Sequence, residues 1–276
     1  MFAPVVPFGG YAGWKVFERI APAQFTVFVR TPSLQREVDR FLEKAGDIKS
    51  ADALLADRRL LSVALGAFGL ESEISKRGII RRVLEEPSAD PKSFANRLND
   101  PRWRAFARAF NFADGAPALT TAARRADIVA NFAERAFETA VGESDANIRL
   151  ALNFRREISA IATGAGADRA GWFQILGQQP LRRVIEGAFG LPDSFAGLDV
   201  DRQRATLEAR AEAFFGSRSP AALQDKDNVE RVLRRFFLSQ AAASSPATGP
   251  GATALALLAG PNVVSASALF AANASP

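Results

Sequence analysis

Asp57-Arg58-Arg59-Leu60-Leu61-Ser62-Val63-Ala64-Leu65-Gly66-Ala67-Phe68-Gly69-Leu70 decides the fold. The stretch returns 121 residues later as Gln178-Gln179-Pro180-Leu181-Arg182-Arg183-Val184-Ile185-Glu186-Gly187-Ala188-Phe189-Gly190-Leu191. In both stretches the apolar residues fall on one face of an α-helix: Leu60, Val63, Ala64, Ala67 and Phe68 in the first, Leu181, Val184, Ile185, Ala188 and Phe189 in the second. Both helices are expected to stop at a glycine, Gly69 or Gly190, which takes the left-handed conformation at little steric cost, with Leu70 or Leu191 closing the end. Gly66, Phe68 and Gly69 thus pair with Gly187, Phe189 and Gly190 as the marks of an internal duplication.

Composition narrows the chemistry. The chain has 276 residues, 48% hydrophobic and 24% charged, enough for one substantial core or two modest ones. No window reaches the roughly 18 consecutive apolar residues of a membrane span, and the start lacks a basic secretory leader, so neither a membrane-spanning nor a Sec-exported product is expected. Cysteine is absent, which excludes disulfides, thiol catalysis and thiolate metal sites. Histidine is absent too, removing the usual general base near neutral pH and the commonest transition-metal ligand. The net charge is +5 and the basic residues are mostly arginine, lysine occurring only at positions 15, 44, 49, 76, 92 and 226. Arginine forks suit phosphate, but here they alternate with carboxylates along every expected helix, the pattern of a solvated face.

Residues 1–30 read as an apolar amino-terminal tail. Pro4, Pro7, Gly9, Gly10 and Gly13 interrupt any period, Trp14, Phe17 and Ile20 suggest one helical turn before Pro22, and Phe25, Val27 and Val29 alternate like a short strand or an extended lead-in. Helical module A occupies 31–112, opening at Thr31-Pro32-Ser33 and closing on the aromatic stripe Trp103, Phe106 and Phe110. Within it Asp90-Pro91 and Asp100-Pro101 each predict an aspartate cap with proline in the first helical position. Two long connecting helices fill 113–163, separated at Gly142 and ending at Gly164-Ala165-Gly166. Helical module B covers 164–238, where Val229, Val232, Leu233 and Phe236 echo Trp103, Phe106, Ala107 and Phe110. Residues 239–276 form an Ala/Ser/Gly/Pro-rich linker and an apolar carboxy-terminal tail without charge. The fold class is therefore all-α: two tandem duplicated helical modules joined by two long helices, with flexible apolar tails.

Chemical motifs give little. Gly164-Ala165-Gly166 follows a helix rather than a strand and lacks the spacing of a dinucleotide loop. Asp225-Lys226-Asp227-Asn228 with Glu230 lacks the glycine and terminal glutamate of a calcium loop, and a helix cap at Asp227 accounts for it; Asp199 with Asp201 reads the same way. No catalytic, cofactor-binding or metal-binding residue is assigned, and no cofactor is expected.

Together, Asp57 to Leu61, Gly66 to Leu70, Ser93-Phe94-Ala95-Asn96-Arg97-Leu98-Asn99-Asp100-Pro101-Arg102-Trp103, Phe110-Asn111-Phe112, Glu143, Asn147, Ile148 to Leu152 and Phe154-Arg155 resemble an uncharacterised alphaproteobacterial domain family often encoded among flagellar genes. The resemblance runs from about Arg30 to Leu238, with Asn153 standing where an aromatic is usual and Gln178 where an acidic residue is expected. It implies a genomic context rather than a mechanism.

The expectation is a non-enzymatic structural or assembly protein of the flagellum, reached by an exported route or held in the cytoplasm, working through helix faces and tails on protein partners. Val263, Val264, Leu269 and Phe270 are the candidate interaction residues. A cytoplasmic export chaperone or adaptor is one alternative. An arginine-rich nucleic-acid binder is another, through Arg77, Arg81 and Arg82 or Arg231, Arg234 and Arg235. No membrane span and no small-molecule cofactor are expected, and nucleic acid is disfavoured.

Overall fold

A computed structural model describes residues 2–98, 100–110, 112–114, 118–164 and 166–244. Val263, Val264, Leu269 and Phe270 lie outside the described residues. Within them the chain is all-α, with thirteen helices and no strand. The described residues pack as two compact units, one gathering residues 2–7 with those of Val16–Arg149, the other Phe8–Lys15 with those between Leu150 and Ser244.

The first unit is built on α2 (Pro32–Lys44), α3 (Ala51–Ala56) and α4 (Arg58–Gly66). Ser50 caps α3 by accepting the Ala53 amide, and Asp57, in extended conformation, ends α3 and starts α4. The Asp57 carboxylate accepts the amides of Arg59 at 3.0 Å and Leu60 at 3.2 Å and a guanidinium N–H of Arg40 at 2.6 Å, tying the cap to α2. Leu60, Leu61, Val63, Ala64 and Leu65 are all buried on α4. The helix ends where Gly69 turns to φ +68°, allowing the Leu70 amide to reach the Leu65 carbonyl at 2.9 Å. Then come α5 (Arg77–Glu85), which buries Ile80, Val83 and Leu84, the short α6 (Phe94–Arg97), and α7 (Pro101–Phe110). Phe106 of α7 packs edge-on to Phe68 at 5.7 Å and against Phe110 at 4.8 Å between ring centres.

The two Asp-Pro pairs do different things. Asp100 caps α7 with Pro101 in first position, accepting the Arg102 amide at 2.9 Å. Asp90-Pro91 instead makes a turn, and α6 starts later, its Phe94 amide donating to the Glu86 carboxylate at the end of α5. A carboxylate eight residues back has taken the capping role.

Two longer helices follow, α8 (Ala122–Ser144) and α9 (Ala146–Thr163). Gly142 does not break α8, which continues to Ser144; a Cβ at Gly142 would lie 2.4 Å from Cδ of Arg149, so the glycine makes room for the start of α9. Asp145 caps α9 through the amides of Asn147 and Ile148.

The amino-terminal residues differ most from expectation. Helix α1 (Gly10–Phe28) runs through Pro22, which lies on its exposed side, and no strand forms at Phe25, Val27 and Val29. The helical period wins over the apparent alternation because Phe17, Phe25 and Phe28 all meet Phe137 of α8, at 6.4, 5.4 and 5.5 Å, while Val27 is left exposed. The preceding residues are docked rather than free. Gln24 accepts the Val5 amide at 2.6 Å and donates to the Val5 carbonyl at 3.0 Å, Pro4 is buried, and Phe2 packs on Phe28.

The second unit contains α10 (Ala167–Leu176), α11 (Gln179–Phe189), α12 (Val200–Phe215) and α13 (Lys226–Ser244). Helix α13 extends six residues past Leu238, so the linker expected from Ser239 is helical up to Ser244. Its cap is Asp225, which accepts the Asp227 amide at 2.9 Å, rather than Asp227. Asp199 caps α12 through the Arg202 amide. Helices α11 and α13 pack closely because Gly187 has no Cβ: one placed there would be 2.9 Å from Cδ2 of Phe236. Gly190 ends α11 at φ +63°, with the Leu191 amide on the Glu186 carbonyl at 2.9 Å.

Candidate functional site

The repeated glycines lead to the most site-like surface of the first unit. Gly66 is the last residue of α4. Its Cβ, were there one, would be 2.8 Å from Cδ2 of Phe132, so the glycine lets the α8 ring lie across α4. Gly69 does the same for Arg135: the guanidinium passes over the end of α4, and Nε donates to the Ala67 carbonyl at 3.1 Å. Arg102 donates to the Gly69 carbonyl at 2.5 Å, held by three hydrogen bonds to the Asp100 carboxylate. Two guanidiniums thus satisfy the negative end of α4. Burial alone would lower the Arg102 pKa, but the hydrogen bonds it donates to Asp100 and the fields of Asp100, Glu71 and Glu73 outweigh it and raise it.

Beside this helix end lies an open groove of about 320 Å³. Phe28, Leu34, Phe132, Ala136 and Ala140 give it apolar walls, and Phe2 of the docked amino-terminal segment forms one edge. Glu37 of α2, Glu71 after α4 and Glu143 of α8 stand around it, all exposed, against the single positive charge of Arg135. Neither Glu37 nor Glu143 forms an ion pair among the described residues. The groove can bind an apolar group next to a cation.

The second unit has a polar hub instead. Glu230 of α13 accepts from the Tyr11 hydroxyl at 2.7 Å, from Lys15 at 3.1 Å and from Arg155 at 3.3 Å. Burial would raise its carboxyl, but the hydrogen bonds from Tyr11 and Lys15 and the charges of Lys15 and Arg155 hold it below the ordinary glutamate range. Tyr11 is displaced upward by burial and by Glu230. Trp14 lies under the Arg155 guanidinium at 4.7 Å and stacks on Phe237 at 5.8 Å. Every partner here is explained by anchoring the start of α1 on α9 and α13.

Neither arginine cluster read from the sequence forms a free basic surface. Arg81 pairs with Asp52 at 2.6 Å, Arg82 pairs with Glu86 at 2.8 Å, and Arg77 donates to the Leu55 carbonyl at 2.8 Å. Arg231 donates to the Phe214 carbonyl at 2.7 Å and covers that ring at 4.7 Å, Arg235 flanks the same ring, and Arg234 lies over Tyr11.

Sequence reasoning places the repeat residues Gly66, Phe68 and Gly69 along the groove's helix and Gly187, Phe189 and Gly190 along α11, but it misses the groove. Ala136 and Ala140, four residues apart on α8, with a glycine as the last residue of α4, were the available signal. Among the described residues no group of three or more acidic side chains could hold a metal ion, and no helix is long and apolar enough to cross a membrane.

A family model described as "Protein of unknown function (DUF1217)" matches residues 67–229. A crystal structure of a protein from Agrobacterium tumefaciens is similar to this chain, with 28% sequence identity and a TM-score of 0.72, covering 88% of this chain and 100% of that one. No curated protein matches the sequence.

Proposed function

The chain belongs to the DUF1217 family, and from that membership and the groove of the first unit we propose a non-enzymatic structural or assembly protein of the bacterial flagellum. The observation that carries the reading is the groove: apolar walls open at the surface, with charge only around the edge, suit a protein side chain better than a reacting substrate. The flagellar part rests on the resemblance to a family encoded among flagellar genes. A nucleic-acid role is less well supported, since Arg81, Arg82 and Arg231 spend their donors within the fold. The duplication reading draws support from Gly69 and Gly190, which end their helices with the same left-handed turn.

The test is an in-frame chromosomal deletion scored by swimming rate and by counting flagella under the electron microscope. The proposal expects fewer or shorter filaments, restored by the full-length gene. Normal filaments and normal swimming would reject it.

A further inference from the structure

We propose that the groove between α2, α4 and α8 docks a protein segment that inserts one large apolar side chain flanked by lysine or arginine. This inference rests on the protein-binding reading above. At about 320 Å³ the groove is near the lower limit of ligand sites, which suits an anchoring side chain rather than a large cofactor. Its depth depends on Gly66, because the Phe132 ring that forms one wall comes closer to α4 than any Cβ would permit.

Charge selects the occupant. Glu37, Glu71 and Glu143 come from three separate segments and surround the opening, while Arg135 is turned toward the Ala67 carbonyl at the end of α4. An acidic segment would meet like charge on three sides. A basic one gains on each and is steered in over a distance set by the Debye length. The chain's own residues 253–270 carry no charged side chain and have nothing to match these carboxylates.

Random 16-residue peptides displayed on phage are selected on the full-length protein. The enriched peptides are then synthesised, and their binding is followed by fluorescence anisotropy. Three proteins are compared: wild type, the plug variant Ala140→Trp, and the triple variant Glu37→Gln, Glu71→Gln, Glu143→Gln. The expected result is enrichment of an aromatic or large aliphatic residue flanked by lysine or arginine. Affinity should fall at least tenfold in the triple variant, with loss of salt dependence, and further in the plug variant. Because the triple variant alters only exposed side chains, it remains informative if Ala140→Trp disturbs the fold. Enrichment of acidic or uncharged sequences, no enrichment, or binding unchanged by the triple variant would overturn the proposal. So would displacement of the selected peptides by a synthetic peptide of residues 253–270. These outcomes are independent of the deletion phenotype, so failure of the docking proposal and failure of the flagellar reading are distinguishable.

Discussion

Replacing Gly187 with alanine should destabilise the second unit, although the same change in an open helix would stabilise it. The gain is the helix propensity of alanine, about 1 kcal/mol. The cost is steric: the new methyl would sit 2.9 Å from Cδ2 of Phe236 and 3.0 Å from Oγ of Ser239, where carbon contacts normally settle at about 3.5–4.0 Å. Phe236 is 1% exposed and packed against Phe237, so it has nowhere to turn. Overpacking of this kind costs about 1–3 kcal/mol, leaving a net loss of roughly 1 kcal/mol. Urea unfolding in a Trp103→Phe background reads this unit alone, since Trp14 and Trp172 both lie within it. A midpoint lower by about 0.5 M is expected for a typical slope of about 2 kcal/mol/M. Trimming the opposing ring with Phe236→Leu should cost less in the alanine background than in the wild type. A higher midpoint for Gly187→Ala, or no coupling to Phe236, would refute the close-packing argument.

Three further outcomes follow from the geometry. Gly190→Ala meets no atom within 4 Å but must hold φ +63°, so it should lose about 1–2 kcal/mol by backbone strain alone, and an unchanged urea midpoint would contradict that. Glu230 has a lowered carboxyl pKa, so its stabilisation is present above the ordinary value near 4.3 and disappears as the pH falls through the lowered one. Its partners are partly exposed, so Glu230→Gln should cost at most about 1 kcal/mol at pH 7, and unfolding curves should show the difference from wild type closing below about pH 4; a constant difference would exclude the hub. Gln24→Ala should release the amino-terminal segment, seen as faster hydrogen exchange at the Val5 amide with little change in global stability; unchanged exchange would mean that Gln24 does not hold it.

Helices carrying their own period were legible, and so were those ending on glycine. Leu60 to Phe68 and Leu181 to Phe189 display a 3.6-residue face, and Gly69 and Gly190 can be read as stops because only a residue without Cβ takes that turn cheaply. Helix α1 was not legible: Pro22 looks like a break, and the contacts that hold Phe17, Phe25 and Phe28 are made on Phe137, more than a hundred residues away. Helix α12 was legible only at its Asp199 cap, because few of its residues are buried, Gln203, Leu207 and Ala211, and they do not form a strong apolar stripe. Asp90 was misread because capping at α6 is decided by Glu86, which tertiary folding brings to the Phe94 amide. The groove escaped for the same reason, its walls coming from segments as far apart as Phe2 and Glu143.

The most direct measurement of the central claim is an immunoblot of cytoplasm, purified hook–basal bodies and culture medium, in wild type and in a strain whose flagellar export gate is disabled. The account predicts protein in the organelle or medium of the wild type and only in the cytoplasm of the export-null strain. An identical cytoplasmic distribution in both strains, with none in the organelle, would contradict it.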